Sequence, residues 1–265
     1  MAARPWALLR GVPDAFRDCV TRRPADPPLD PERARRQHAA YRARLEEGGF
    51  ATSLLPADEA HPDCCFVEDT AVIMHGSALV TRPGHPSRRG EVAAVAAALA
   101  GSLAVSAMEA PATLDGGDVL RVGRRIFVGE SERTNAAGRA ALARFASPLG
   151  FEVVPVPVRG VLHLKSAVTA MDEATVLAFP GAVDPGAFRG LLVVAVGGDE
   201  PEAANGVRLP DGRILVAAHL PQSEAAVRAA GFAAVACDVS EFARADGGLT
   251  CLSLRVRSGL ASAQP

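Results

Sequence analysis

Apolar and polar positions along the chain fall mostly into short alternating runs bounded by Gly, Asp or Pro, which predict strands. Fewer runs have the spacing of helices. A strand is expected around Ala7 to Leu9, followed by a loop through Phe16 and a proline-rich connector from Pro24 to Pro31. Pro31 then opens a helix to about Glu47. The ring sits near the first turn, where its missing N–H costs nothing, and Gly48-Gly49 is the stop. Ala51 to Leu55 is the next strand.

From there one unit recurs. Cys65 to Met74 is predicted as a strand, His75 to Ser77 as a turn, Ala78 to Thr81 as a second strand, and Glu91 to Leu99 as a helix. The pattern repeats from Leu114, with strands to Val122 and over Ile126 to Gly129, a helix from about Ala137 to Ala146, and a strand over Phe151 to Val156. A third copy begins at Leu162, with its second strand at Thr175 to Phe179. A fourth begins at Glu202 and reaches a helix at Ser223 to Ala230. The fifth is split: Leu249 to Val256 supplies one strand and the N-terminal segment completes it.

The polar residue heading each unit keeps phase. Glu68, Asp115, His163, Asn205 and Cys251 are separated by 47, 48, 42 and 46 residues. Equivalent positions in units arranged around an axis face one centre. Two carboxylates, an imidazole, an amide and a thiol are therefore expected to converge on an axial pocket.

Composition changes this picture only by exclusion. The 265 residues are 49% hydrophobic and 22% charged, as in a globular chain with a sizeable core, and are read as a single domain over 1–265. A net charge of -2 without a basic patch argues against nucleic acid or an anionic membrane, and favours a small-molecule partner. Oligomeric state is left open between monomer and homodimer. Five cysteines with no Cys-x-x-Cys pair, and no secretory signal or membrane-length apolar run, predict free thiols and a cytoplasmic location. The one lysine, Lys165, among 27 arginines is read as compositional bias.

The convergent residues suit thiol chemistry. Cys251, after the Asp246-Gly-Gly turn, is the expected nucleophile, His163 can move protons near neutral pH, and Asp115 can fix its tautomer. Asp63, Glu68 and Asp69 add negative charge that would suppress thiol ionisation, a surplus that suits a cationic substrate such as a planar guanidinium. Arg88 and Arg133 occupy equivalent loops and are expected to clamp a carboxylate at the mouth. An arginine-like amino acid meets both demands.

The motifs Leu55 to Asp69, Thr81 to Arg89, Ala112 to Leu120, Phe127 to Asn135, Leu162 to Ser166 and Leu249 to Cys251 closely resemble the dimethylarginine dimethylaminohydrolase family over nearly the whole chain. The resemblance implies an α/β fold, the five-bladed α/β propeller of pseudo-fivefold ββαβ repeats. It implies hydrolysis of asymmetric dimethylarginine or monomethylarginine to citrulline plus an amine, with no cofactor or catalytic metal. It assigns Cys251, His163 and Asp115 to catalysis and Asp63, Glu68, Asp69, Arg88 and Arg133 to substrate. Val12 and Ala245 match positions that contact substrate through the backbone. Arginine deiminase and amidinotransferase share this scaffold and are the alternative activities. A non-catalytic ribosome-binding propeller is the alternative of another class, but it lacks the Cys, His and Asp set. The six histidines show no metal-hydrolase spacing.

Overall fold

The computed structural model describes residues 4–256. The first strand and helix form as their residues dictate. β1 (Trp6–Arg10) leads to α1 (Pro31–Glu47), where the Asp30 side chain accepts from the N–H groups of Glu32 and Arg33 and so caps two orphan donors. β2 (Ala51–Leu55) returns parallel to β1, and β1 pairs antiparallel with β15 (Leu254–Val256), Trp6 opposite Val256. The two ends of the chain thus complete one sheet, as the split fifth unit predicts.

Four further sheets repeat this order. They are β3 (Ala71–Met74), β4 (Ser77–Val80) and β5 (Ala104–Ala107); β6 (Val119–Val122), β7 (Arg125–Glu130) and β8 (Glu152–Pro157); β9 (Val168–Ala170), β10 (Thr175–Ala178) and β11 (Leu192–Ala195); and β12 (Gly206–Arg208), β13 (Ile214–Ala217) and β14 (Ala234–Cys237). In each, the central strand is antiparallel to the inner one and parallel to the outer one. Parallel pairing requires a crossover. It is supplied by α2 (Val92–Ala100), α3 (Ala136–Ala146) and α4 (Pro221–Ala229), but in the third unit only by a 3₁₀ turn over Pro185–Phe188. Strands β10 and β13 are buried throughout, whereas every residue of β5 is exposed. Inner strands of adjacent sheets touch, β15 with β3, β6 with β9 and β9 with β12; the Val67–Thr70 and Gly116–Asp118 turns also meet and Asn205 bonds Thr250, which closes the five sheets around an axis. Among the described residues no helix is long and apolar enough to cross a membrane.

The inner strands are shorter than the sequence pattern predicts. The segments expected as strands from Cys65, Leu114, Leu162 and Leu249 open instead with 3₁₀ turns, Val67–Thr70, Gly116–Asp118, Leu164–Ser166 and Thr250–Leu252, and the fourth unit opens with Pro201–Ala204. Alternation of side chains does not distinguish a tight turn of three or four residues from an extended run. These five turns ring the axis and carry or flank the five polar residues that head the units.

Candidate active site

Asp115 and His163 lie immediately before their turns and meet across them: His163 Nε2 is 3.0 Å from Asp115 Oδ2. Asp115 is wholly buried, and its other oxygen accepts from the Gly84 N–H at 2.8 Å. The Asp-Gly-Gly-Asp run does more than turn the chain. A Cβ at Gly117 would lie 2.6 Å from His163 Nδ1 and 2.8 Å from Asp69 Oδ1, and one at Gly116 would lie 2.0 Å from the Glu68 carbonyl oxygen. Only glycine lets the turns of the first two units close on His163. Asp118 completes the run. It accepts from the Leu164 N–H at 3.0 Å and from the Thr134 and Ser131 hydroxyls, tying the His163 turn to the Arg133 loop.

His163 Nδ1 lies 4.0 Å from Asp69 Oδ1, beyond hydrogen-bond reach, so this nitrogen is free for proton transfer. Burial disfavours the charged ring, but Asp69, the hydrogen bond to Asp115, and Asp118 outweigh it and raise the imidazole to about 9. Asp69 is also buried. Its desolvation is overcome by His163, by Arg88 and by the Gly117 N–H, which hold it down at about 2.

The half-buried Cys251 follows Gly248, whose N–H donates to its sulfur at 3.3 Å. Burial, then Glu68 and Asp69, push the thiol up to about 12, against the Gly248 N–H and Lys165. Asn205, the amide of the fourth unit, ties the turns together: its Nδ2 donates to the Lys165 carbonyl at 2.7 Å and to the Thr250 hydroxyl at 3.0 Å.

Cys251, His163, Asp69, Asp63, Arg133 and Ala245 line one axial pocket, together with Arg88. The space between them is closed down to about 20 Å³, room for one water. A groove of about 440 Å³ lies elsewhere, between Val154, Arg159, Ala182 and Arg189, beside the unit that lacks a crossover helix; it contains no nucleophile or acid–base pair. Chemistry, not volume, marks the site.

Three expected residues stand differently from the sequence reading. Arg88, expected as a carboxylate clamp at the mouth, lines the pocket from a buried position. It is 4% exposed, with Nε and Nη2 paired to both Glu91 oxygens, Nη1 to Asp69 at 2.6 Å, and Nη2 also to the Phe66 carbonyl. Val12 packs in the core and is not among the pocket-lining residues, and its carbonyl accepts from Arg35 Nε at 3.1 Å. Val20 lines the pocket instead, and its N–H donates to the Asp63 carboxylate at 3.2 and 3.3 Å. No local signature separates these two valines in one loop. Glu68 is buried behind the lining, with Lys165 Nζ and Arg255 Nη2 at 2.6 and 2.7 Å from Oε1. The lining also includes Phe66, Leu162, Asp246 and Gly247, which the sequence reading did not assign.

Oxygen and nitrogen atoms of Asp69, Asp115 and His163 also lie within 4.8 Å of one another. Arg88 already neutralises Asp69, and Asp115 holds His163 by hydrogen bond. The cluster is thus satisfied as a charge network.

Five three-stranded sheets around a thiol, an imidazole and buried carboxylates define an α/β propeller with a cysteine–histidine–carboxylate site at its axis. The family model described as "N,N dimethylarginine dimethylhydrolase, eukaryotic" matches residues 24–200, and this chain belongs to the dimethylarginine dimethylaminohydrolase family. It is 43% identical over 224 residues to the N(G),N(G)-dimethylarginine dimethylaminohydrolase of Streptomyces coelicolor, covering 83% of this chain and 85% of that one. The structure is similar to that of the Pseudomonas aeruginosa enzyme, a cysteine-to-serine variant complexed with citrulline, with a TM-score of 0.88 and 29% identity over 96% of this chain and 99% of that one. A histidine-to-glycine dimethylarginine dimethylaminohydrolase bearing an adduct with S-methyl-L-thiocitrulline gives a TM-score of 0.89 and 30% identity, over 96% of this chain and all of the other.

Proposed function

We propose that this chain hydrolyses asymmetric dimethylarginine and monomethylarginine to citrulline plus dimethylamine or methylamine, through a covalent adduct on Cys251. The observation that carries this reading is the sharing of one pocket by a cysteine, a histidine raised toward the imidazolium form, and the carboxylates of Asp63 and Asp69. Those acids suit the guanidinium, and Arg133 suits the substrate carboxylate. The pocket is closed, so substrate entry requires its lining, which includes the segment at Val20, to move. Arg22 anchors that segment to Asp246, its N–H and Nε both donating to the carboxylate.

In the first half-reaction the Cys251 sulfur, its proton released to solvent, attacks the guanidinium carbon. The C–N bond to the methylated nitrogen breaks, and the His163 imidazolium protonates the departing amine. A thiouronium linkage remains on Cys251. His163, now neutral, takes a proton from water as the hydroxide adds to the same carbon; the C–S bond then breaks, releasing citrulline and the thiolate. The bond to Asp115 keeps the same imidazole nitrogen facing the reacting atoms in both halves.

Citrulline measured after incubation with dimethylarginine, monomethylarginine and arginine tests the assignment directly. Formation from arginine alone would replace it with the deiminase reading. Arg133→Ala should raise KM for dimethylarginine about tenfold, with a smaller effect on kcat, because the substrate carboxylate keeps its charge through the reaction. An unchanged KM removes Arg133 from the clamp.

The thiol should be protonated in the empty site and ionise when a guanidinium binds beside it. An uncharged alkylating reagent is therefore expected to react with the free enzyme with a pH midpoint above that of ordinary cysteine, about 8.5. The rise of kcat should fall at lower pH than that of kcat/KM. A free-enzyme midpoint well below neutrality would mean a preformed thiolate and would sink the substrate-assisted account.

A further inference from the structure

The protein uses arginine at 27 of its 28 basic positions, and the exception, Lys165, stands two residues after His163 with its ammonium on Glu68. A composition this biased makes the one position that keeps lysine informative. Lys165 Nζ is 2.6 Å from Glu68 Oε1, and Arg255 Nη2 is 2.7 Å from the same oxygen. Glu68 Oε2 is buried and has no hydrogen-bond partner among the described residues. A buried carboxylate oxygen without a partner is costly, and it retains the capacity to accept from a donor. Glu68 stands close enough to Cys251 to raise its thiol, and Lys165 opposes that effect.

Ammonium and guanidinium differ in how they hold a carboxylate. An ammonium is a compact point charge without a fixed fork, and here it meets one oxygen, whereas a guanidinium presents a planar fork that matches both. Arg255 does not break this rule here, because its Nη1 is spent on the Thr250 and Ser253 carbonyls and the Ser253 hydroxyl, and only Nη2 reaches Glu68. An arginine at position 165 would bring a free fork to Glu68. In a pocket whose acids bind a substrate guanidinium, that fork would imitate the substrate.

We propose that Lys165 is a positioning and specificity-determining residue: a one-point cation that holds Glu68 by Oε1, behind the closed lining, and leaves Oε2 free to take the substrate's guanidinium when the pocket opens. This rests on the reading of Glu68 as a substrate-binding acid. Lysine at this position neutralises Glu68 without competing for the geometry the substrate needs.

The test compares wild type, Lys165→Arg, Lys165→Met and Glu68→Gln on asymmetric dimethylarginine, with thermal melting to check folding. Lys165→Arg preserves the charge, yet should raise KM about tenfold or more with a smaller change in kcat. A KM within about twofold of wild type, less than one hydrogen bond to a charged group is worth, overturns the proposal. Lys165→Met removes the countercharge and should move the midpoint of Cys251 alkylation by an uncharged reagent to higher pH. A stationary midpoint overturns the proposal even if Lys165→Arg does not fold. Glu68→Gln separates the two levels of inference. If it raises KM while Lys165→Arg does not, only the role of Lys165 falls; if it leaves KM unchanged, the assignment of Glu68 to substrate falls, and that of Lys165 with it.

Discussion

Cys251→Ser should lose citrulline formation by about four orders of magnitude or more, as expected when a group that forms the covalent intermediate is removed. The structure explains why serine has no rescue. The nucleophile is met by the Gly248 N–H and by negative charge from Glu68 and Asp69, and His163, raised to about 9, is protonated at neutral pH and unavailable as a base in the empty site. A hydroxyl, intrinsically far less acidic than a thiol, would remain protonated. The fold should survive, since the side chains are nearly the same size and, among the described residues, the sulfur accepts only one backbone hydrogen bond. Citrulline assays on the variant, with its melting curve beside that of wild type, check both halves. Activity within about tenfold of wild type, far above the loss expected for a nucleophile, would remove Cys251 from that role.

The largest effect on stability is expected from Arg88→Met. Arg88 is the shared countercharge of two buried acids, Asp69 and Glu91, and also closes the Phe66 carbonyl. Removing one partner of such a network leaves buried charge uncompensated and costs about 3–5 kcal/mol. The sign of its pH dependence follows from the carboxyls. In wild type, Asp69 sits at about 2, below its ordinary 3.8, so its contribution is present above pH 3.8 and is lost as pH falls through 2. Burial, only partly offset by Arg88, already raises Glu91 above 4.5, so its ionisation costs stability as pH rises through that raised value. Without Arg88 both carboxyls move up. The deficit should therefore be greatest near neutral pH and shrink in acid, where the variant's acids are neutral. Urea unfolding of both proteins across this range measures it. A deficit below about 1 kcal/mol at neutral pH, the scale of an exposed ion pair, would show that Arg88 is not the countercharge described. Because the same change releases Asp69, any rise in KM must be read only on folded enzyme.

The repeat was legible because each unit carries its own signals. Turn residues, alternation and the Pro31 and Gly48 boundaries of α1 are local, and they placed α1 and β2 at their observed limits. The phase of Asp115, His163 and Cys251 along the chain sufficed to predict that they converge, since equivalent positions around an axis share a centre. Their surroundings were not legible. Whether Arg88 meets solvent or Glu91, whether Val12 or Val20 reaches the pocket, and whether Asn205 faces the pocket or ties the Lys165 and Thr250 turns together depend on which turn from another unit packs alongside. The same holds for Lys165, which composition alone marks only as an oddity and which becomes meaningful through an oxygen 97 residues away in sequence and 2.6 Å away in space. Local propensity and period are written into neighbouring residues; hydrogen-bond partners and charge balance are properties of packing between distant ones, and only the closed ring of sheets decides them.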